Sequence, residues 1–403
     1  MGRWNLASPP FSGLQGYDPV ALFAGLPTPA YVIDEARLKT NGEILSALAQ
    51  RTGCRILLAQ KAFSNYDFYP LLAPFLSGTE ASGLFEARLG FEKMPGKEVH
   101  VFCGAYRESE FEELLRYADH IVFNSIHQLK AFGPKAKTAG KSLGLRINPE
   151  CSTQEGHAIY DPCAPGSRLG VTRQVWNREM TAEALGLLDG LHFHTLCEQN
   201  SDDLEKTLKA VSEKFGDVLP RMKWLNMGGG HHITRPDYDL PRLEICIRFA
   251  QDAWGVTVYL EPGEAVALNA GYLVSRVLDV VENSGHAIAI LDTSAACHMP
   301  DVLEMPYQPP ILDASAQLEG GSVLRLAGPT CLAGDVVGDY AFSSAPMVGD
   351  AVIFGDMAIY TTCKNNTFNG MPLPNLWKLT SDGKLIRLTD FGYSDFVNRL
   401  GSR

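Results

Sequence analysis

No Cys-x-x-Cys pair occurs among the nine cysteines, Cys54, Cys103, Cys151, Cys163, Cys197, Cys246, Cys297, Cys331 and Cys363. Their odd number argues against a disulfide framework and for reduced thiols in a cytoplasmic protein. A run of about 18 apolar residues is also missing, which excludes a membrane-spanning helix. The opening Met1-Gly2-Arg3-Trp4-Asn5 has no apolar signal core. Basic residues are scarce: 35 Lys and Arg stand against 46 Asp and Glu, for a net charge of −11. With no basic stripe to neutralise phosphates, nucleic acid and anionic membranes are excluded as natural partners. Low-complexity tracts and internal repeats are absent as well.

What is present is a chain of 403 residues, 45% of them apolar, long enough for two domains. Between residues 30 and 265, short apolar runs alternate with helix-like segments such as Ser109 to Tyr117 and Leu204 to Phe215. Eight runs can be counted: Arg55 to Ala62, Thr79 to Ser82, Val99 to Gly104, His120 to Asn124, Ser142 to Asn148, Leu188 to His194, Lys223 to Met227 and Val256 to Glu261. Eight strand-helix units predict an α/β fold with a (β/α)₈ barrel over 33–265, whose chemistry gathers at the C-terminal strand ends. After Pro262 the texture changes to alternating strands separated by Gly, Pro and Asp turns. This predicts a C-terminal antiparallel β domain over 266–403, with the segment 1–32 supplying it a strand at Pro27 to Ile33.

Lys61 closes the first barrel run, where a lysine is expected for its amine, a nucleophile toward aldehydes. A strand-end lysine snorkelling to water is the plain alternative. Gly228-Gly229-Gly230 follow the seventh run, where such barrels build phosphate sites from backbone amides; a tight turn is the other reading. Glu261-Pro262-Gly263-Glu264 ends the eighth run and sets a carboxylate at the rim, able to face a pyridine nitrogen or to pair with a basic neighbour. His192-Phe193-His194 ends the sixth run, and its two imidazoles suit either a metal pair or one ring stacked on a flat cofactor. His231-His232 adds ligand-capable groups. Further on, Gly328-Pro329-Thr330-Cys331-Leu332-Ala333-Gly334-Asp335 reads as a loop presenting a cysteine, and Tyr360 is able to bond a phosphate.

In order along the chain, Lys61, His194, the Gly228 triplet, Glu261-Pro262-Gly263, Gly328-Pro329-Thr330-Cys331, and Tyr360 with Phe368-Asn369-Gly370 form one set. That set resembles the alanine-racemase-fold, pyridoxal-phosphate-dependent decarboxylases of ornithine and diaminopimelate, over nearly the whole chain. Three strings narrow the resemblance to the branch acting on carboxylated triamines: His192 to Gln199, Cys297 to Pro306, and Tyr160-Asp161-Pro162. The resemblance implies pyridoxal 5'-phosphate as cofactor and a cytoplasmic homodimer with shared active sites. It makes Lys61 the Schiff-base lysine, His194 the ring on the pyridine and Glu261 the partner of its nitrogen. Gly228, Gly229, Gly230, Gly263 and Tyr360 would hold the rest of the cofactor. Cys331 would reach the site of the other subunit and return a proton to Cα.

Two departures bear on the substrate. Ornithine and diaminopimelate decarboxylases carry Arg where Glu264 stands, and an acidic residue where Leu332 stands. Losing a cation and gaining a carboxylate favours a substrate with an extra ammonium, set against Glu264, Asp301 and Asp335. The implied reaction converts carboxynorspermidine or carboxyspermidine to norspermidine or spermidine, in polyamine biosynthesis. The alternatives are decarboxylation of diaminopimelate or another basic amino acid, a racemase of this fold, a non-catalytic pyridoxal-phosphate carrier, and a metal-dependent barrel hydrolase using His192, His194 and His231 or His232.

Overall fold

A computed structural model describes residues 18–154, 161–312, 314–315 and 321–401. Tyr160, one of the residues that carry the resemblance, lies outside them. The first strand, β1 (Ala30–Asp34), precedes a closed barrel of eight parallel strands: β2 (Arg55–Ala59), β3 (Gly78–Ala81), β4 (Glu98–Phe102), β5 (His120–Phe123), β6 (Ser142–Arg146), β7 (Gly190–His192), β8 (Trp224–Asn226) and β9 (Thr257–Leu260). Nearly continuous burial marks these runs as strands covered on both faces, and amphipathic helices cover them. Glu108–Tyr117 buries Phe111, Leu114 and Leu115, spaced three and four residues apart on one helix face. Ser125 and Asn200 cap the helices Ile126–Thr138 and Ser201–Phe215 by accepting from their first-turn amides.

Volume complementarity fills the barrel. A Cβ on Gly190 would lie 2.0 Å from the Trp224 ring, and one on Gly144 2.3 Å from it, so two small residues make room for one indole. The indole Nε1 donates to Ser142 Oγ at 2.9 Å. At the strand starts, the end of the barrel opposite Lys61, the His100 and His120 rings stack at 3.9 Å. Glu98 accepts there from His100 Nε2 at 3.1 Å and pairs with Arg55.

From Gly271 the chain builds a sheet: β10 (Gly271–Asn283), β11 (His286–Leu291), β12 (Ala314–Ser315), β13 (Ser322–Ala327), β14 (Val336–Phe342), β15 (Ala351–Gly355), β16 (Asn375–Leu379) and β17 (Leu385–Arg387). The order is β12-β14-β13-β11-β10-β1-β16-β17, with β15 paired to β10. The sheet is not wholly antiparallel, because β1 pairs with β16 in parallel and β11 with β13 in parallel. No hairpin joins either couple, so no tight turn imposes opposite directions. Phe23, Leu26, Val32, Tyr272, Val274, Ile353 and Leu379 form the core of this unit. By compactness, residues up to Lys39 with Ala267 onward make one unit and Thr40–Val266 the other.

Candidate active site

β2 stops at Ala59, so Lys61 stands not on the strand but on the turn beyond it, half-buried. That turn is tied on three sides. The Gln60 amide donates to Glu80 O at 3.0 Å, Gln60 Nε2 donates to Glu86 O at 2.8 Å, and Tyr69 OH donates to Gln60 Oε1 at 3.0 Å. The Ala59 amide donates to Pro262 O at 3.2 Å, which brings the Glu-Pro-Gly segment against the lysine turn. Gly263 is glycine because of that approach: a Cβ there would lie 2.6 Å from Ala62 Cβ.

Two buried carboxyls share the surroundings of Lys61. Glu261 accepts from Asn226 Nδ2 at 2.5 Å and lies 3.2 Å from His192 Nε2. Burial alone would raise its pKa, but His192 and then Lys61 bring it below the ordinary carboxylate value, and it stays ionised. Glu80, on β3, is pushed well above its ordinary value by burial and then by the charge of Glu261, so it keeps its proton. Arg146 lies beside them, its guanidinium 4.6 Å from the Phe102 ring centroid and its Nη2 donating to His194 O at 3.0 Å. Burial lowers the pKa of Arg146 to about 10. Glu80, Arg146 and Asn226 escaped assignment from the sequence. The available signal was a charged or amide side chain inside a barrel strand that is buried on both faces.

His194 follows β7 and accepts at Nδ1 from the Gly229 amide at 2.8 Å. The imidazole is therefore neutral, in accord with a pKa well below the usual one, lowered by burial and then by Lys61 and Arg146. The Gly228 amide donates to Asn226 Oδ1 at 2.9 Å, leaving Gly230 as the amide of the triplet outside these two bonds. The turn packs closely enough to exclude side chains: a Cβ would lie 2.5 Å from Phe193 O at Gly228, 2.3 Å from Glu261 O at Gly229 and 2.0 Å from Leu196 O at Gly230.

The three carboxylates expected to meet a cationic substrate each have a partner within the chain. Glu264 accepts from His232 Nε2 at 2.9 Å. Asp301 and Glu304, on one helical turn, both pair with Lys364. Asp335 is buried, accepts from Thr330 Oγ1 at 2.6 Å and from the Ala296 amide at 3.3 Å, and so shapes its own loop. Cys331 is exposed on that loop, its amide donating to Asn369 Oδ1 at 2.8 Å. Tyr360 has a left-handed backbone, φ 58°.

The histidines do not converge as a metal site requires. His192 is committed to Glu261, His194 to Gly229 and His232 to Glu264, while His231 Nδ1 lies 3.4 Å from Tyr238 OH. Among the described residues, the grouping close enough to ligate an ion is Glu98, His100 and His120, where Arg55 already holds the carboxylate.

A family model described as the pyridoxal-dependent decarboxylase, C-terminal sheet domain, matches residues 30–358. The chain belongs to the pyridoxal-dependent decarboxylases. Within that family it is 42% identical to a carboxynorspermidine/carboxyspermidine decarboxylase of Campylobacter jejuni, over 92% of this chain and 98% of that one. It is 40% identical to a carboxyaminopropylagmatine decarboxylase of Synechocystis, over 94% of this chain and 96% of the other. The crystal structure of carboxynorspermidine decarboxylase complexed with norspermidine, from Campylobacter jejuni, superposes with a TM-score of 0.84 at 41% identity, covering 93% of this chain and all of that one. This decarboxylase accordingly uses pyridoxal phosphate, and the donor set suits it. It offers a lysine amine, an ionised buried carboxylate, a neutral imidazole and a glycine turn with no room for side chains. Among its described residues, no helix is long and apolar enough to cross a membrane.

Proposed function

We propose that this decarboxylase removes the α-carboxylate of carboxynorspermidine or carboxyspermidine, releasing norspermidine or spermidine. The observation that carries the substrate class is Glu264, a carboxylate on the segment packed against the lysine turn, at the position where the resemblance to the ornithine and diaminopimelate decarboxylases leads one to expect an arginine. Asp301, beside Glu304, and Asp335 are assigned to the same cationic chain; binding through Asp301 entails giving up its pair with Lys364. The Synechocystis relative, named for a guanidino substrate, makes carboxyaminopropylagmatine the nearest competing compound.

Bound pyridoxal phosphate supplies an aldehyde for covalent attachment and a pyridinium ring that accepts the electron pair left by departing CO₂. Lys61 provides the attaching amine. Glu261, ionised and held by Asn226 and His192, keeps a proton on the ring nitrogen and so favours decarboxylation over racemisation. His194 would cover one face of the ring, Gly230 and Tyr360 would hold the phosphate, and Gly263 leaves room for the lysine turn. Cys331 returns the proton to Cα, acting in the site of a second copy of this chain, which makes the working unit a homodimer.

Release of CO₂ from carboxynorspermidine, carboxyspermidine, carboxyaminopropylagmatine, diaminopimelate and ornithine tests the reading. Preference for the first two is expected. Comparable turnover of diaminopimelate overturns the role given to Glu264, and Lys61→Ala should abolish both turnover and the yellow absorbance.

A further inference from the structure

The string His192 to Gln199 holds one carboxylate that the function above leaves unused, Glu198, and the pair at Glu264 includes an imidazole it does not explain, His232. These two segments run side by side. The Gln199 amide donates to Gly230 O at 3.0 Å, and Gln199 and His231 form an isolated parallel bridge. Gln199 pins its strand of the loop through its side chain, donating to Thr153 O at 2.7 Å and to Asp203 Oδ2 at 2.9 Å. Glu198 is thereby held with φ 54°, a conformation that costs a non-glycine residue energy and persists where surroundings impose it. On the other side, Thr234 Oγ1 donates to Ala265 O at 2.7 Å, a second tie between the glycine-turn segment and the helix that starts at Glu264.

We infer that His232 is a positioning residue for substrate: it orients the Glu264 carboxylate, and with Glu198 it forms a subsite of two carboxylates about one imidazole that receives an ammonium of the triamine. This inference rests on the proposed function and names the subsite within it. The charged groups whose fields reach His232 are Glu264 from the helix after β9, bonded to it at 2.9 Å, Glu198 from the loop after β7, whose chain neighbour Gln199 accepts at its carbonyl from the His232 amide at 3.4 Å, and Arg235 and His231 from its own loop. Burial pulls the His232 pKa down, but Glu264 and then Glu198 outweigh it and hold it above the usual imidazole value. With His232 protonated the three groups carry one net negative charge; when it titrates they carry two. A cationic chain then binds more tightly.

The experiment uses the pyridoxal-phosphate-loaded enzyme and measures kcat and KM for carboxynorspermidine from pH 6 to 9. For the native enzyme, KM falls as pH rises through the His232 titration. In His232→Gln that fall is lost relative to the native profile. Glu198→Gln raises KM by about tenfold with a smaller effect on kcat, and Glu198→Asp restores most of it. Cofactor absorbance guards against a folding defect in each variant. Native-like KM values and pH profiles in both Gln variants overturn the inference while leaving the proposed function standing. Failure of the native enzyme to decarboxylate any triamine overturns the proposed function instead.

Discussion

Glu80 and Glu261 are buried around the same lysine, yet Glu80 keeps its proton and Glu261 loses it. Like charges so placed do not both ionise, and the one with His192 and Asn226 at hand takes the charge. On the proposed function, the place beside the pyridine nitrogen therefore falls to Glu261. Glu261→Gln should lower kcat by about two orders of magnitude, the scale of one lost electrostatic stabiliser. Steady-state CO₂ release measures it, and a drop of less than threefold removes Glu261 from the mechanism.

For Glu80 the consequence is one of stability. Its folded pKa is raised, so the folded state holds a proton that the unfolded chain releases above the ordinary value of 4.5. Stability is then lost as pH climbs from that value toward the folded pKa. Glu80→Gln removes the dependence, and its Tm should exceed the native Tm by a margin that widens from pH 5 to 9. Parallel melting curves over that range contradict the assignment.

Glu98 runs in the opposite direction. Burial opposes its ionisation, but His100 and then Arg55 draw its pKa down to about 2. Its stabilisation is present above the ordinary value of 4.5 and is lost as pH falls through about 2. Glu98→Gln should lower Tm by several degrees at pH 7, with the difference shrinking in acid. A constant difference down to pH 3 means the effect is one of packing.

At Gly263 an added methyl has nowhere to go, since Ala62 Cβ would stand 2.6 Å away and Ala59 O 3.2 Å. Overpacking of this kind costs about 1–3 kcal/mol, and here the strain falls on the lysine turn. Gly263→Ala should weaken cofactor binding by about tenfold or more, read from the absorbance during pyridoxal phosphate titration. Native affinity places the turn elsewhere.

Cys331 offers a test of shared sites. Cys331→Ala should keep the cofactor absorbance but lose most turnover, and Lys61→Ala loses both. Mixed after unfolding and refolding together, the two variants should recover about a quarter of native activity, because half the dimers then hold one complete site of two. No recovery confines Cys331 to its own chain.

The barrel was legible because its strands are short apolar runs at regular spacing, and period and turn chemistry are local properties. The ordered set from Lys61 to Tyr360 is likewise written in the chain, as is the exchange of arginine for Glu264. Partnership is different. Glu264 meets His232 across 32 positions, Asp301 meets Lys364 across 63, and Thr28 bonds Asp292 across 264. The parallel pairing of β1 with β16 spans the whole barrel, and no turn residue announces it.

By itself, then, the sequence determined the barrel, because residue type and spacing suffice for it, and its ordered motifs named the kind of chemistry and the candidate groups for it through a resemblance. Only the tertiary structure decided which carboxyl is charged, that Lys61 rides a turn beyond its strand, and that Glu264 is already bonded. Charge state and pairing depend on burial and on neighbours brought in from distant positions, and those exist only once the chain has folded.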